Sequence, residues 1–255
     1  MSVAPVVVAV SFKAYLSHAT AIDWVRAVAG APIPHGVEVV VFPSFLSIPG
    51  AVDAAGGRLS IGAQNLHSAE GGAFTGEVTA PQIREVGCRY VEIGHAEREN
   101  LFGETEADIV EKIRLAQRHG LIPLLCVGEP TPGSAADAAA WCREKVARML
   151  RAAQFAGDIV VAYEPVWAIG AERPADPAHV RTVAAALREA LSTAVPSGRS
   201  ARVIYGGAAG EGTLPELRGD VDGVFLGRFA HDPAAMRRIL AEAADSAVAA
   251  FEIRG

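Results

Sequence analysis

Ile159-Val160-Val161-Ala162-Tyr163-Glu164-Pro165-Val166-Trp167-Ala168-Ile169-Gly170 sets an apolar run directly against a carboxylate. The first five residues read as a strand buried on both faces. Glu164 follows at once, where a rigid element holds it. Burial beside apolar residues makes a carboxylate a better proton acceptor. Pro165 and Gly170 then bracket a short segment that carries Trp167 and Ile169, which suit a solvated loop poorly. A segment bracketed in this way fits a lid that closes as a unit. A plain strand followed by a surface loop explains neither the acid nor the apolar residues after it.

Working outward, the same pattern recurs seven times. Val6-Val7-Val8-Ala9-Val10 is an apolar, β-branched run that ends in Ser11-Phe12-Lys13. Residues 37–42, 59–63, 90–93, 122–127, 202–205 and 223–226 read as six more short buried strands. They run into Pro43-Ser44, Gln64-Asn65, Gly94-His95, Gly128-Glu129, Gly206-Gly207-Ala208 and Gly227-Arg228. Between them lie helical patterns over 19–29, 43–56, 81–86, 105–118, 135–155, 177–191 and 233–244, with Gly120 and Pro177 as stop and start signals. Strict alternation with both strand faces apolar means a parallel sheet with helices outside. Eight such units in 255 residues predict an α/β chain that closes into a (β/α)8 barrel, one domain over residues 1–255. In that architecture the site sits where strands end. The polar residues placed there are Ser11, Lys13, Asn65, His95, Glu129 and Glu164.

Composition narrows the function. Apolar residues make up 51% and charged residues 20% of the chain, which predicts a globular protein with a large core. A net charge of -6 argues against a general nucleic-acid binder or an anionic-membrane binder, yet leaves room for a local basic pocket. Cys88, Cys126 and Cys142 form no CxxC pair, so neither a disulfide framework nor a cysteine zinc site is expected. The simplest compartment is a reducing cytoplasm. Residues 6–10 are too short for a signal segment, and Lys13 follows them instead of preceding them. His18, His35, His67, His119, His179 and His231 lack metal-ligand spacing and read as structural or surface residues.

With these pieces in order, the chain resembles the triosephosphate isomerase family, and so a TIM barrel. The resemblance is carried by Gln64-Asn65, Gly72-Ala73-Phe74-Thr75-Gly76-Glu77, Gly94-His95, Glu97-Arg98, Cys126-Val127-Gly128-Glu129, residues 162–170, Tyr205-Gly206-Gly207 and Asp222-Gly223. It implies that Glu164 is the base that takes a proton from the carbon beside a carbonyl. It implies that His95 is a neutral electrophile that polarises that carbonyl and shuttles protons between oxygens. Lys13 faces the developing enediolate charge, and Glu97 helps with orientation or proton handling. Backbone N–H groups at Gly170, at Gly207-Ala208 and at Gly227-Arg228 hold the substrate phosphate. No metal and no organic cofactor are implied. The resemblance implies a small phosphorylated sugar as substrate, interconverted between glyceraldehyde 3-phosphate and dihydroxyacetone phosphate. The resemblance also implies a homodimer in which loop 64–80 carries Thr75 to the neighbouring subunit.

Four positions depart from the family pattern, and all fall in the site. Ser11 stands for the usual Asn and leaves space. Ala96 stands for Ser after His95. Ala208 stands for the Ser of the strand-seven turn. Arg228 stands for a second Gly and adds a cation beside the phosphate site. Pro174, in Ala171-Glu172-Arg173-Pro174, stiffens the far end of the lid. The proton-transfer residues are untouched, so the departures point at the substrate. The room at Ser11 accepts one more hydroxymethyl group, which makes a tetrulose (erythrulose) phosphate isomerase the alternative. A non-catalytic phosphosugar-binding protein is a further one.

Overall fold

The computed structural model describes residues 6–171 and 173–252, with side chains through residue 247. Residues 1–5, 172 and 253–255 of the single-domain reading lie outside the described residues, as does Glu172 of the lid's far end. Eight strands close into one parallel barrel in chain order. They are β1 (Val6–Ser11), β2 (Val37–Phe42), β3 (Ser60–Ala63), β4 (Tyr90–Ile93), β5 (Ile122–Val127), β6 (Ile159–Tyr163), β7 (Ala201–Tyr205) and β8 (Gly223–Leu226). The helices are α1 (His18–Ala29), α2 (Ile48–Ala55), α3 (Ala80–Glu85), α4 (Ala96–Phe102), α5 (Glu106–Arg118), α6 (Ala135–Ala153), α7 (Pro177–Ala194), α8 (Thr213–Glu216) and α9 (Pro233–Glu252).

Local chemistry sets the helix limits. Ser17, Thr105 and Ser134 accept an N–H of the first turn in α1, α5 and α6, and Asp176 does so before Pro177 in α7. Gly56 and Gly103 leave α2 and α4 in the left-handed conformation. The segment after Pro43-Ser44 begins as a short 3-10 turn, Phe45–Ser47, before α2. The last helix continues past residue 244 because the Ala-rich run there contains no breaker. The short α8 was not legible, because Thr213-Leu214-Pro215-Glu216 has no helical period.

Period-two alternation divides each strand between two cores. Val6, Val8 and Val10 face outward against helices such as α1, while Val7 and Ala9 face the lumen. The lumen is filled by Val40, Phe42, Tyr90, Leu124, Cys126 and Val160, with Ala162, Ile204 and Phe225. At its N-terminal end a polar plug crosses from strand to strand. Arg202 donates to Glu38 at 3.1 Å and to the Tyr90 hydroxyl at 3.0 Å, and that hydroxyl donates to Glu38 at 2.8 Å. Burial raises the Glu38 carboxyl, but the Arg202 guanidinium and the Tyr90 hydroxyl outweigh it and hold the pKa low. The seam is made by β1 on β8, with Val7 paired to Gly223 and Val10 to Leu226. Trp24 Nε1 locks it by donating to the Ala230 carbonyl at 2.9 Å.

Candidate functional site

Glu164 sits one residue beyond β6 and is still held by the sheet, because its N–H donates to the Val127 carbonyl at 2.8 Å. Two glycines make room for it. A Cβ at residue 128 would lie 1.8 Å from the Glu164 carbonyl oxygen, and one at residue 206 would lie 2.5 Å from its Cγ. Gly128 and Gly206 therefore fix where the carboxylate can stand. Oε1 of Glu164 is buried without a partner, and Oε2 lies 4.0 Å from His95 Nε2.

His95 caps the N-terminus of α4. The Glu97 N–H donates to its Nδ1 at 3.1 Å. Nδ1 therefore presents a lone pair, and the proton of a neutral ring sits on Nε2. That Nε2 is buried and has no partner, so its N–H is aimed into the cavity as a hydrogen-bond donor.

Lys13 follows β1 with φ of 46°, a left-handed conformation that is strained for a residue with a side chain. Gln64 secures the turn by donating from Nε2 to the Lys13 carbonyl at 3.0 Å and to the Phe42 carbonyl at 2.9 Å. The ammonium donates to Glu97 Oε1 at 2.5 Å. Burial lowers the Lys13 pKa, but Glu97, and more weakly Glu164 and Glu92, reverse this and hold the cation charged. Ser11 turns its hydroxyl inward with no partner, while its carbonyl accepts from His231 Nε2 at 3.1 Å. Burial lowers the His231 pKa, and that ring packs edge-on against Phe12, which anchors the end of β1.

These groups line one cavity of about 260 Å³ with Ile169, Gly170, Gly207, Gly227 and Arg228. Ala208 is half-buried beside Gly207 and does not line it. The Arg228 guanidinium lies 5.6 Å over the Tyr15 ring. Of the polar strand-end residues, Ser11, Lys13, His95 and Glu164 are brought together, with Glu97 between Lys13 and His95. Asn65 is committed elsewhere, since its Oδ1 accepts from Lys112 at 2.8 Å. Glu129 packs against the segment of residues 165–170, whose Val166 N–H donates to the Glu129 carbonyl at 3.0 Å. Trp167 Nε1 donates to its carboxylate at 2.8 Å, and the Tyr163 hydroxyl and the His179 ring reach it at 3.1 Å. At the far side of the lid the Ala175 N–H donates to the Tyr205 hydroxyl at 3.0 Å.

One member of the site was missed from sequence. Glu92 in β4 shares lumen-facing parity with Tyr90, is 4% exposed, and has an Oε2 without a partner. Burial pushes its carboxyl up to about 7; the charge of Glu164 adds to this, while His95, the Ser11 hydroxyl dipole close by and Lys13 oppose it, although Ser11 is not within hydrogen-bond distance. The signal was present: an acid inside the otherwise apolar strand Tyr90-Val91-Glu92-Ile93.

A strand-end carboxylate, an inward N–H donor and a fixed cation around one small cavity suit proton transfer next to a carbonyl. The triosephosphate isomerase family model matches residues 6–243. The chain belongs to the triosephosphate isomerase family. It is 43% identical over 253 residues to an L-erythrulose-1-phosphate isomerase of Pectobacterium atrosepticum, covering 95% of this chain and 97% of that one. It is 43% identical over 197 residues to a triosephosphate isomerase of Alcanivorax borkumensis, covering 74% and 79%. A triosephosphate isomerase of Moorella thermoacetica is 40% identical over 213 residues, covering 80% and 84%.

Proposed function

We propose that this enzyme isomerises a four-carbon ketose phosphate of the tetrulose (erythrulose) type through an enediolate. The observation that carries the reading is the pairing of an intact Lys13, His95 and Glu164 set with a relative acting on erythrulose 1-phosphate, matched over 95% of the chain. The altered residues Ser11 and Arg228, both on the cavity wall, support it.

In erythrulose 1-phosphate the carbonyl is on carbon 2, and carbon 3 carries a hydroxyl and the terminal hydroxymethyl. Glu164 takes the carbon-3 proton. The released electron pair forms the carbon 2–carbon 3 double bond, and the carbonyl oxygen becomes anionic beside Lys13 and the His95 Nε2–H. His95 passes a proton from the carbon-3 hydroxyl to the carbon-2 oxygen. Glu164 then returns its proton to carbon 2, and the carbonyl now stands on carbon 3. Carbon 1 bears the phosphate ester and no hydroxyl, so no enediol forms toward that side. The product is again a ketose phosphate. Gly170, Gly207 and the Gly227-Arg228 turn hold the phosphate by their N–H groups, and Arg228 adds its charge.

The test is proton exchange with deuterated solvent across dihydroxyacetone phosphate and erythrulose 1-phosphate. Exchange and turnover on the four-carbon ketose support the reading. Turnover confined to the triose phosphate assigns the three-carbon reaction instead, and binding without exchange means a phosphosugar-binding protein.

We infer that the working unit is a homodimer. Leu101 and Phe102 are 74% and 68% exposed and, with Tyr15, line a second cavity of about 420 Å³ that shares Lys13 and His95 with the first. Residues 70–77 stand exposed, with the Phe74 ring tilted against His67 at 4.4 Å, and so offer Thr75 to a neighbour. A monomer in sedimentation at assay concentration would sink this reading.

A further inference from the structure

We infer that Glu92, with the Ser11 hydroxyl beside it, is the specificity-determining group that hydrogen-bonds the terminal hydroxymethyl of the four-carbon substrate. This rests on the four-carbon reading above.

The first argument is satisfaction. Ser11 Oγ, Glu92 Oε2, His95 Nε2 and Glu164 Oε1 are all buried and without a partner. Native interiors leave few such atoms, and a group of them around two adjoining cavities marks where a ligand completes the bonds. His95 and Glu164 have their work in the proton transfer. Glu92 and Ser11 do not, and an unpartnered buried carboxyl is strongly unfavourable unless something else retains it.

The second argument is direction. The two cavities share Ser11, Lys13, Tyr15, His95 and Glu97. Gly170, Gly207 and Gly227 line only the first, and Glu92 lines only the second. A phosphate on the glycines and reacting carbons between His95 and Glu164 therefore send the far end of the molecule toward Glu92. A triose phosphate stops at its reacting carbons. The fourth carbon of a tetrulose phosphate is the one that goes beyond them.

The third argument is hydrogen-bond chemistry. A hydroxyl offers one donor and two lone pairs. Protonated, Glu92 both donates and accepts; ionised, it accepts the substrate hydroxyl proton while Ser11 Oγ donates. Burial pushes the Glu92 carboxyl up to about 7, so both forms are present around that pH. The site thus serves a hydroxyl on either side of that titration, and it leaves a buried polar pair unmatched when the hydroxyl is missing.

The full chain and its Glu92→Leu, Glu92→Gln and Ser11→Ala variants would be assayed on erythrulose 1-phosphate, its 4-deoxy analogue and dihydroxyacetone phosphate. Glu92→Leu is expected to lower kcat/KM on erythrulose 1-phosphate about 100-fold or more, and at least about tenfold further than on the other two substrates. Ser11→Ala and Glu92→Gln, which removes the charge and keeps the hydrogen-bonding shape, should each cost about tenfold on erythrulose 1-phosphate relative to its 4-deoxy analogue. Equal losses on all three substrates overturn the inference and make Glu92 a general acid-base or structural group. If Glu92→Leu does not fold, the wild-type ratio between the parent ketose and its 4-deoxy analogue decides. A ratio near one overturns the inference while the four-carbon reading stands. Wild-type protein inert on erythrulose 1-phosphate and active on dihydroxyacetone phosphate overturns the four-carbon reading, and this inference with it.

Discussion

The lumen of the barrel holds a polar cluster at each end, and the two differ in how they are satisfied. At the N-terminal end Glu38, Tyr90 and Arg202 bond to one another, and only Arg202 Nε is without a partner. At the C-terminal end Ser11, Glu92, His95 and Glu164 each keep a buried polar atom with none. The first is built from lumen-facing strand positions of the hydrophobic tube, and the second from such positions (Ser11, Glu92) together with residues just past the strand ends (His95, Glu164). A closed network holds its members in one arrangement and contributes to specifying the fold. An open one is held in place by everything around it and lets a substrate supply the missing bonds. In Tyr90-Val91-Glu92 the two ends are two residues apart on one strand, so a single step along β4 passes from structure to chemistry.

The contrast can be broken most severely at the open end. Glu164→Gln should lower kcat by about 10³–10⁴-fold, since it removes the base. Its thermal midpoint should stay level, because Glu164 Oε1 has no hydrogen bond to lose. Activity near wild type, or a fall in midpoint comparable to a core deletion, would erase the distinction. The closed end should behave in the opposite way. Arg202→Met removes one of the two guanidinium groups on the half-buried Glu38 carboxylate, Arg89 staying at 3.2 Å, and should cost about 2–3 kcal/mol in denaturant unfolding, with turnover per folded molecule unchanged.

The third expectation concerns pH. Folded Glu92 titrates near 7, whereas the unfolded chain releases that proton near 4.5. Between those values the folded state holds the extra proton, so stability falls as pH rises through the window and is level above it. The loss amounts to about 3 kcal/mol. Glu92→Gln should flatten that part of the profile and leave the protein more stable above pH 7. An unchanged slope would mean that the open end is not strained by its charge. The smallest effect is expected at the lid. Trp167→Phe removes one bond to Glu129, which keeps Tyr163 and His179, and should cost about 1 kcal/mol or less. It should shift kcat and KM by only a few-fold, as stopped-flow measurement of turnover would reveal.

Most of the barrel was legible because its strands are buried on both faces. Val6-Val7-Val8-Ala9-Val10 and Ile159-Val160-Val161-Ala162-Tyr163 leave no polar position to confuse the period. Alternation with helices then closes the sheet. Glu164, His95 and Lys13 stood out because they break apolar strands at their ends, where this architecture places its sites. Glu92 was overlooked because it lies inside a strand, and only the closed register shows that its side chain shares the lumen with Tyr90. Glu129 was visible at a strand end, but its bonds to Trp167, Tyr163 and His179 depend on α7 packing beside β6. The contact between Trp24 and Ala230 spans nearly the whole chain and has no local signature at all.

That last contact orders the birth of the enzyme in time. During synthesis Lys13 leaves the ribosome early, and His95 and Glu164 follow. The turn at Gly227-Arg228 comes more than 200 residues after Lys13. Until β8 docks on β1 the nascent chain has Lys13, His95 and Glu164 and no closed cavity around them. Pairings this distant in sequence form late, because loop closure precedes any reward. On the proposed reaction, the chain therefore acquires its reactive groups long before it can hold the molecule they would act on, and the closing strand sets when catalysis could begin.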